Sequence, residues 1–172
     1  LLNLFRDEQI VMTNISSQML EQAMLEGWEI QRFMEGTVFH IDFNHRAERA
    51  TSNLHLRKAL QLAQDSGELV NRVLREPGYL PGESLFPVWL EGVDGYFRDE
   101  YPAPTYVRDV ERARQHLRLA MEEEGWSEPP RLVMLSGDSP VARTQAEYYQ
   151  EVYRSVLGIE VVIDEQTFQQ RL

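Results

Sequence analysis

The 172-residue chain is 42% hydrophobic and 26% charged, the balance of one soluble globular domain with one core. Its 28 acidic against 17 basic side chains leave a formal net charge of -11, which repels phosphate backbones and argues against nucleic acid as a partner. There is no cysteine, so disulfides, thiolate chemistry and cysteine-ligated zinc are excluded, and no apolar run approaches the roughly 18–20 residues that cross a bilayer.

The chain opens Leu1-Leu2-Asn3-Leu4-Phe5, without an initiator Met or a basic leader, and closes on Phe168-Gln169-Gln170-Arg171-Leu172 as if in mid-element. Both ends are expected to be cuts from a longer chain. The first predicted helix covers residues 16–26. Ser16 or Ser17 caps it, Leu20, Ala23 and Met24 share a face, and Gly27 ends it. Two alternating runs follow, Trp28 to Phe33 and Val38 to Phe43, and both are predicted strands. Residues 53–75 carry the strongest helical stripe: Leu56, Ala59, Leu60, Ala63, Gly67, Val70 and Leu74. A break near Asp65-Ser66-Gly67 divides this stretch into two helices.

Residues 76–107 break every periodic pattern, with Pro77, Gly78, Pro81, Gly82, Pro87, Gly92, Gly95, Pro102 and Pro104. Yet they also carry Tyr79, Phe86, Trp89, Tyr96, Phe97 and Tyr101, too aromatic for a flexible linker. The reading is an ordered surface arm within a single domain over residues 1–172. A helix then starts at Asp109, with Val110, Ala113, Leu117 and Ala120 inside and Gly125 as its end. Residues 131–135 read as a strand, residues 140–157 as a helix with Val141, Gln145, Tyr148, Val152 and Val156 on one face, and residues 159–163 as a final strand. Strand, helix, strand favours a parallel crossover. The fold class is α/β, a mixed sheet flanked by helices.

Arg57 could grip a carboxylate, but a structural role in its helix is preferred. His40, His45, His55 and His116 lack metal-ligand spacing, so no metal and no cofactor is expected. Glu122-Glu123-Glu124 reads as a solvated helix end. No nucleophile-elbow serine and no glycine-rich phosphate loop occurs, so catalysis has no positive support and the chain is not expected to be an enzyme.

Phe43-Asn44, then Leu56-Arg57-Lys58-Ala59-Leu60, Ala63 and Asp65, form an ordered series. Pro81 to Pro87, Asp109 to Arg114 with Leu117 and Gly125, and Leu157-Gly158-Ile159-Glu160-Val161 continue it. The series resembles the extracytoplasmic solute-binding proteins of peptide ABC transporters, solute-binding family 5, the oligopeptide- and dipeptide-binding class. Leu4 to Ile10 is similar to the short segment that precedes the family's second lobe. Ser52-Asn53 stands where the family usually has a proline, and Ser66-Gly67 departs from its pattern after Asp65.

The resemblance implies a periplasmic-binding-protein-like lobe of the type II class, inserted within the sequence of a partner lobe, with the ligand enclosed when the lobes close. It implies periplasmic or other extracytoplasmic localisation, capture of a peptide or another small solute, and delivery to a membrane permease by the full-length protein. This chain itself would not insert into the membrane. The family's acidic peptide anchor would lie beyond Leu172. Phe168 aligns with an aromatic position lining the peptide pocket of some members, and the segment with Phe39, His40 and Asn44 corresponds to one that approaches the cleft. Half of such a strand must face the core, so only some of these can touch ligand. The alternatives are a ligand-sensing domain of a regulatory protein with the same fold, and an unrelated α/β enzyme domain.

Overall fold

A computed structural model of the chain describes residues 2–15, 17–33, 35–82, 84–104 and 107–171. In chain order its elements are α1 (Leu2–Arg6), α2 (Ser17–Leu25), a 3-10 turn (Ala50–Ser52), α3 (Leu54–Ala63), α4 (Ser66–Glu68) running into a π-helix (Leu69–Leu74), α5 (Phe97–Glu100), α6 (Val110–Glu124), β1 (Leu132–Gly137), α7 (Pro140–Leu157), β2 (Val161–Gln166) and α8 (Phe168–Arg171).

The core is built from three helices with polar caps. Asn53 Oδ1 accepts from the Leu56 amide at 3.0 Å and starts α3. Asp109 caps α6 through the Arg112 amide, and Ser139 caps α7 through the Ala142 amide, with Pro140 at the first helical position. Gly125 and Gly158, both at φ 68°, end α6 and α7 in the left-handed region. The α3 stripe, Leu56, Ala59, Leu60 and Ala63, is at most 1% exposed. It meets Ala113, Leu117 and Ala120 of α6 in the most extensive helix contact of the core, where the small alanines allow close approach. Val152, Tyr153, Val156 and Leu157 of α7, with Ile159 and Val161, complete the core.

β1 and β2 pair in parallel, from Leu132 opposite Val161 to Gly137 opposite Gln166, and α7 is the crossover between them. Leu132 and Met134 pack toward the core, whereas Val133 (66% exposed) and Leu135 (58%) point away from it. Tyr148 of α7 clamps the exit of α3. Its hydroxyl donates to the Asp65 carbonyl at 2.9 Å and accepts from the Asp65 amide at 3.1 Å.

Several expectations change. Among the described residues the sheet has two parallel strands, not a mixed set. The runs at 28–33 and 38–43 form no ladder. Alternation marks a face, but a strand exists only where another lies alongside, and among the described residues none pairs with these runs. Phe33 (75% exposed) and Phe39 (64%) accordingly stay outside. Met24, predicted inside, is also exposed, while Ala23 is buried. Beyond Asp65, which caps α4 through the Glu68 amide, the inner residue is Leu69, and Val70 and Leu74 are only half-buried. A π-helix holds more residues per turn than an α-helix, so the expected stripe rotates out of phase. In α7 the fully buried side chains include Ala146, Tyr153 and Leu157, whereas Val141, Gln145 and Tyr148 are half-buried. The Ser16 cap lies outside the described residues.

Within residues 76–107 the arm makes contacts of its own. An isolated antiparallel bridge joins Glu91 to Tyr96, and the rings of Phe86, Phe97 and Tyr101 follow one another at 4.7 and 5.0 Å. The Glu100 carboxylate accepts from the Asp94 amide at 2.8 Å and the Val93 amide at 3.1 Å, which holds its pKa below the usual carboxylate range.

Candidate functional site

Three of the four predicted ligand residues fall in one stretch. Phe43 packs against the core and ties that stretch down. Phe39, four residues earlier, lays its ring on Tyr79 of the arm, with centroids 5.7 Å apart and planes 25° from parallel. Burial, then the charges of Glu76 and Glu35, push the Tyr79 phenol above its ordinary value, so it presents a neutral aromatic face. Tyr79 is absent from the sequence-based site. Its signal was the aromatic density of the arm, but only the fold pairs it with Phe39.

His40 is exposed. Its Nδ1–H donates to the Val38 carbonyl at 3.2 Å, and Nε2 lies 3.4 Å from Asp42, an ion pair when the ring is protonated. Asn44 shapes the following turn: its Oδ1 accepts from the Arg46 amide at 3.1 Å, and its carbonyl accepts from the Thr51 hydroxyl at 2.7 Å. Arg57 holds the same region from inside. Its Nη1 donates to the Thr51 carbonyl at 2.8 Å and the Ser52 carbonyl at 2.6 Å, the structural role preferred for it.

Phe168 stands elsewhere, at the start of α8 and two residues past the last residue of β2, with 66% of its surface exposed. This is the carboxyl end of the parallel pair, where β1 also stops at Gly137 and the chain turns through Asp138 and Ser139 into α7. In open α/β sheets ligands meet the protein at that end. Arg143 of α7 and Glu165 of β2 pair there through two contacts of 2.7 Å. The pairing lowers the Glu165 pKa and raises that of Arg143. Each of these two charges is thereby matched. The surface has a shallow depression on α2, lined by Leu20, Glu21, Met24 and Leu25, and another beside β2, lined by Gln150, Arg154 and Glu160 to Ile163. Neither includes a predicted ligand residue.

The fold is thus a helix-flanked parallel pair with Phe168 just past its carboxyl end and the Phe39–Tyr79 ring pair on a separate stretch of chain. The chain belongs to the bacterial extracellular solute-binding proteins, family 5, whose middle region matches residues 1–172. Solved structures agree on the fold. The substrate-binding domain of an oligopeptide ABC transporter from Bacillus anthracis is 26% identical, with a TM-score of 0.64 over 71% of this chain and 24% of that one. Peptide-bound OppA of Listeria monocytogenes is 22% identical, with a TM-score of 0.75 over 99% of this chain and 34% of that one. The pheromone receptor PrgZ, described with its mode of peptide binding, is 20% identical, with a TM-score of 0.77 over the same shares, 99% and 34%. The chain thus spans about a quarter to a third of the length of these structures. No match is found among curated proteins. Among the described residues no helix is long and apolar enough to cross a membrane.

Proposed function

We propose that this chain is the inserted second lobe of a two-lobed protein that captures peptides or similar small solutes outside the cytoplasm and hands them to the permease of an ABC importer. The observation that carries the reading is the family match along all of residues 1–172. The lobe works by binding alone and does no chemistry on its ligand.

Phe39 on its Tyr79 support, and Phe168 at the carboxyl end of β2, supply flat apolar walls at low rotamer cost. His40 and Asn44 offer polar groups beside the first wall. Such a surface suits a ligand with varied side chains, because aromatic faces accept many shapes while polar neighbours accept bridging water. Closure against the opposite lobe would bury the ligand and supply most of the affinity.

The test is a titration of the isotope-labelled chain with short peptides at millimolar concentration, followed by NMR. Shifts gathered at Phe39, His40, Asn44, Tyr79 and Phe168, with weak affinity, are expected of a single wall. Shifts gathered on α2, or tight binding by this chain alone in calorimetry, would show the site to be misplaced.

A further inference from the structure

The most extensive helix contact in the core, between α3 and α6, also holds two imidazoles. His55 projects from α3 and His116 from α6, and their Nδ1 atoms are 2.8 Å apart. The ring centroids are 5.0 Å apart, close to that N–N distance with one ring radius added at each side. The two nitrogens therefore point at each other along one line. Lone pairs so arranged share a proton; they do not converge on a third point, as they would around a chelated ion. On its other side the His55 Nε2 lies 3.5 Å from the Glu123 carboxylate.

We propose that His55 and His116 are an acid-sensitive latch that joins α3 to α6 while they share a proton and releases them when each imidazole carries its own. In the neutral pair His55 keeps its Nε2–H toward Glu123, and its Nδ1 lone pair accepts from the His116 Nδ1–H. A first proton from solvent makes His55 an imidazolium. Its Nδ1–H then donates to His116, whose remaining hydrogen moves to Nε2. The link survives this step as a charge-assisted bond, balanced by Glu123. A second proton leaves two N–H groups facing each other across 2.8 Å with no acceptor between them. The rings must part, and the contact between α3 and α6 loosens with them.

The surroundings work against the second proton. His116 is held below the usual histidine range by burial first, then by the positive charges of His55, Lys58 and Arg112. Lys58 lies on α3 and Arg112 on α6, and Glu123 is the acidic counterweight at the end of α6. The 3-10 turn ahead of α3, Ala50–Ser52, brings no charge. From α7 the core-facing side chains are Val152, Tyr153, Val156 and Leu157, and burial keeps the Tyr153 phenol neutral. The sign follows: an unfolded His116 takes its proton near the ordinary value of about 6.5, above the folded one. Stability is therefore complete above about pH 6.5 and falls as pH drops below it toward the folded value.

Two measurements decide the matter. Urea midpoints are compared between pH 8 and pH 5 for the 172-residue chain and its His116→Gln variant, whose amide replaces the imidazole without titrating. The parent should lose more of its midpoint on acidification, and most of that extra loss should vanish in the variant; equal losses overturn the proposal. Should the variant fold poorly, imidazole nitrogen NMR of the unmodified chain gives the second readout. Two well-separated titration steps with a hydrogen-bonded Nδ1 pair are expected. Two independent titrations near the ordinary histidine value would equally overturn it.

Discussion

Replacing Asn53 is the sharpest probe of how this core is assembled, because its side chain serves two elements at once. Its Oδ1 caps α3 through the Leu56 amide at 3.0 Å. Its Nδ2 donates to Glu123 and Glu124 at 3.0 Å each, where two carboxylates crowd the unfavourable negative end of α6. Loss of the cap in Asn53→Ala costs about 1 kcal/mol. Loss of the two donors adds roughly another 1 kcal/mol, a discounted value because the glutamates are largely exposed and can rehydrate. Asn53→Asp separates the two roles. Aspartate caps as well as asparagine, so the local effect is near zero. It also sets a third carboxylate about 3 Å from two others, which costs on the order of 1 kcal/mol per pair in a water-like dielectric. The Ala variant should therefore lose about 2 kcal/mol, roughly 1 M in urea midpoint, and the Asp variant, which lacks the Nδ2 donors as well, about 3 kcal/mol. They should differ in salt. Near 1 M salt, where the screening length is about 3 Å, the Asp variant should recover part of its loss and the Ala variant should not. An Asp variant with the parent midpoint at low salt would refute the claim that Asn53 joins the start of α3 to the end of α6.

Tyr148→Phe removes the hydroxyl that both donates to and accepts from Asp65, and it should cost about 1–2 kcal/mol in urea unfolding; an unchanged midpoint would mean that the α3 exit is held by packing alone. Burial, with a lesser effect from Tyr148, pushes the Tyr149 phenol up to about 12. Its neutral form is the one the fold prefers, so its contribution is complete below the ordinary value of about 10 and is lost as pH rises through about 12. Phenolate absorbance should thus show a late step after the exposed tyrosines, and a single step near pH 10 with circular dichroism unchanged would contradict the burial.

The sequence disclosed the parts whose signals are local. Asn53 was not read as a cap, but the stripe it introduces, Leu56 to Ala63, is buried as expected. Asp109 and Gly125 bracket α6 where cap chemistry put them, and strand, helix and strand from residue 131 onward became a parallel pair. Signals that depend on distant partners were not legible. The alternation at Val38 to Phe43 resembles a strand, yet its fate rests on whether another strand lies alongside. The π-helix after Glu68 shifts a stripe that α-helical spacing drew through Val70 and Leu74. For the proposed site, Phe39 and Phe168 were both named through family likeness. Tyr79 beneath Phe39, and the meeting of His55 with His116, join residues about forty and sixty positions apart, and no local pattern encodes such pairs.

Val133 and Leu135 leave one more trace in the behaviour of the chain. They make a short greasy strip on a strand whose outer edge still has amides and carbonyls to offer. Two copies meeting edge to edge extend each other's ladder without unfolding and bring these strips side by side. Their common formal charge of -11 opposes that approach, a long-range force that dissolved ions shorten. Salt therefore acts on this molecule in two opposite directions. It quiets repulsion inside each copy, and it also removes the barrier that keeps separate copies from zipping together.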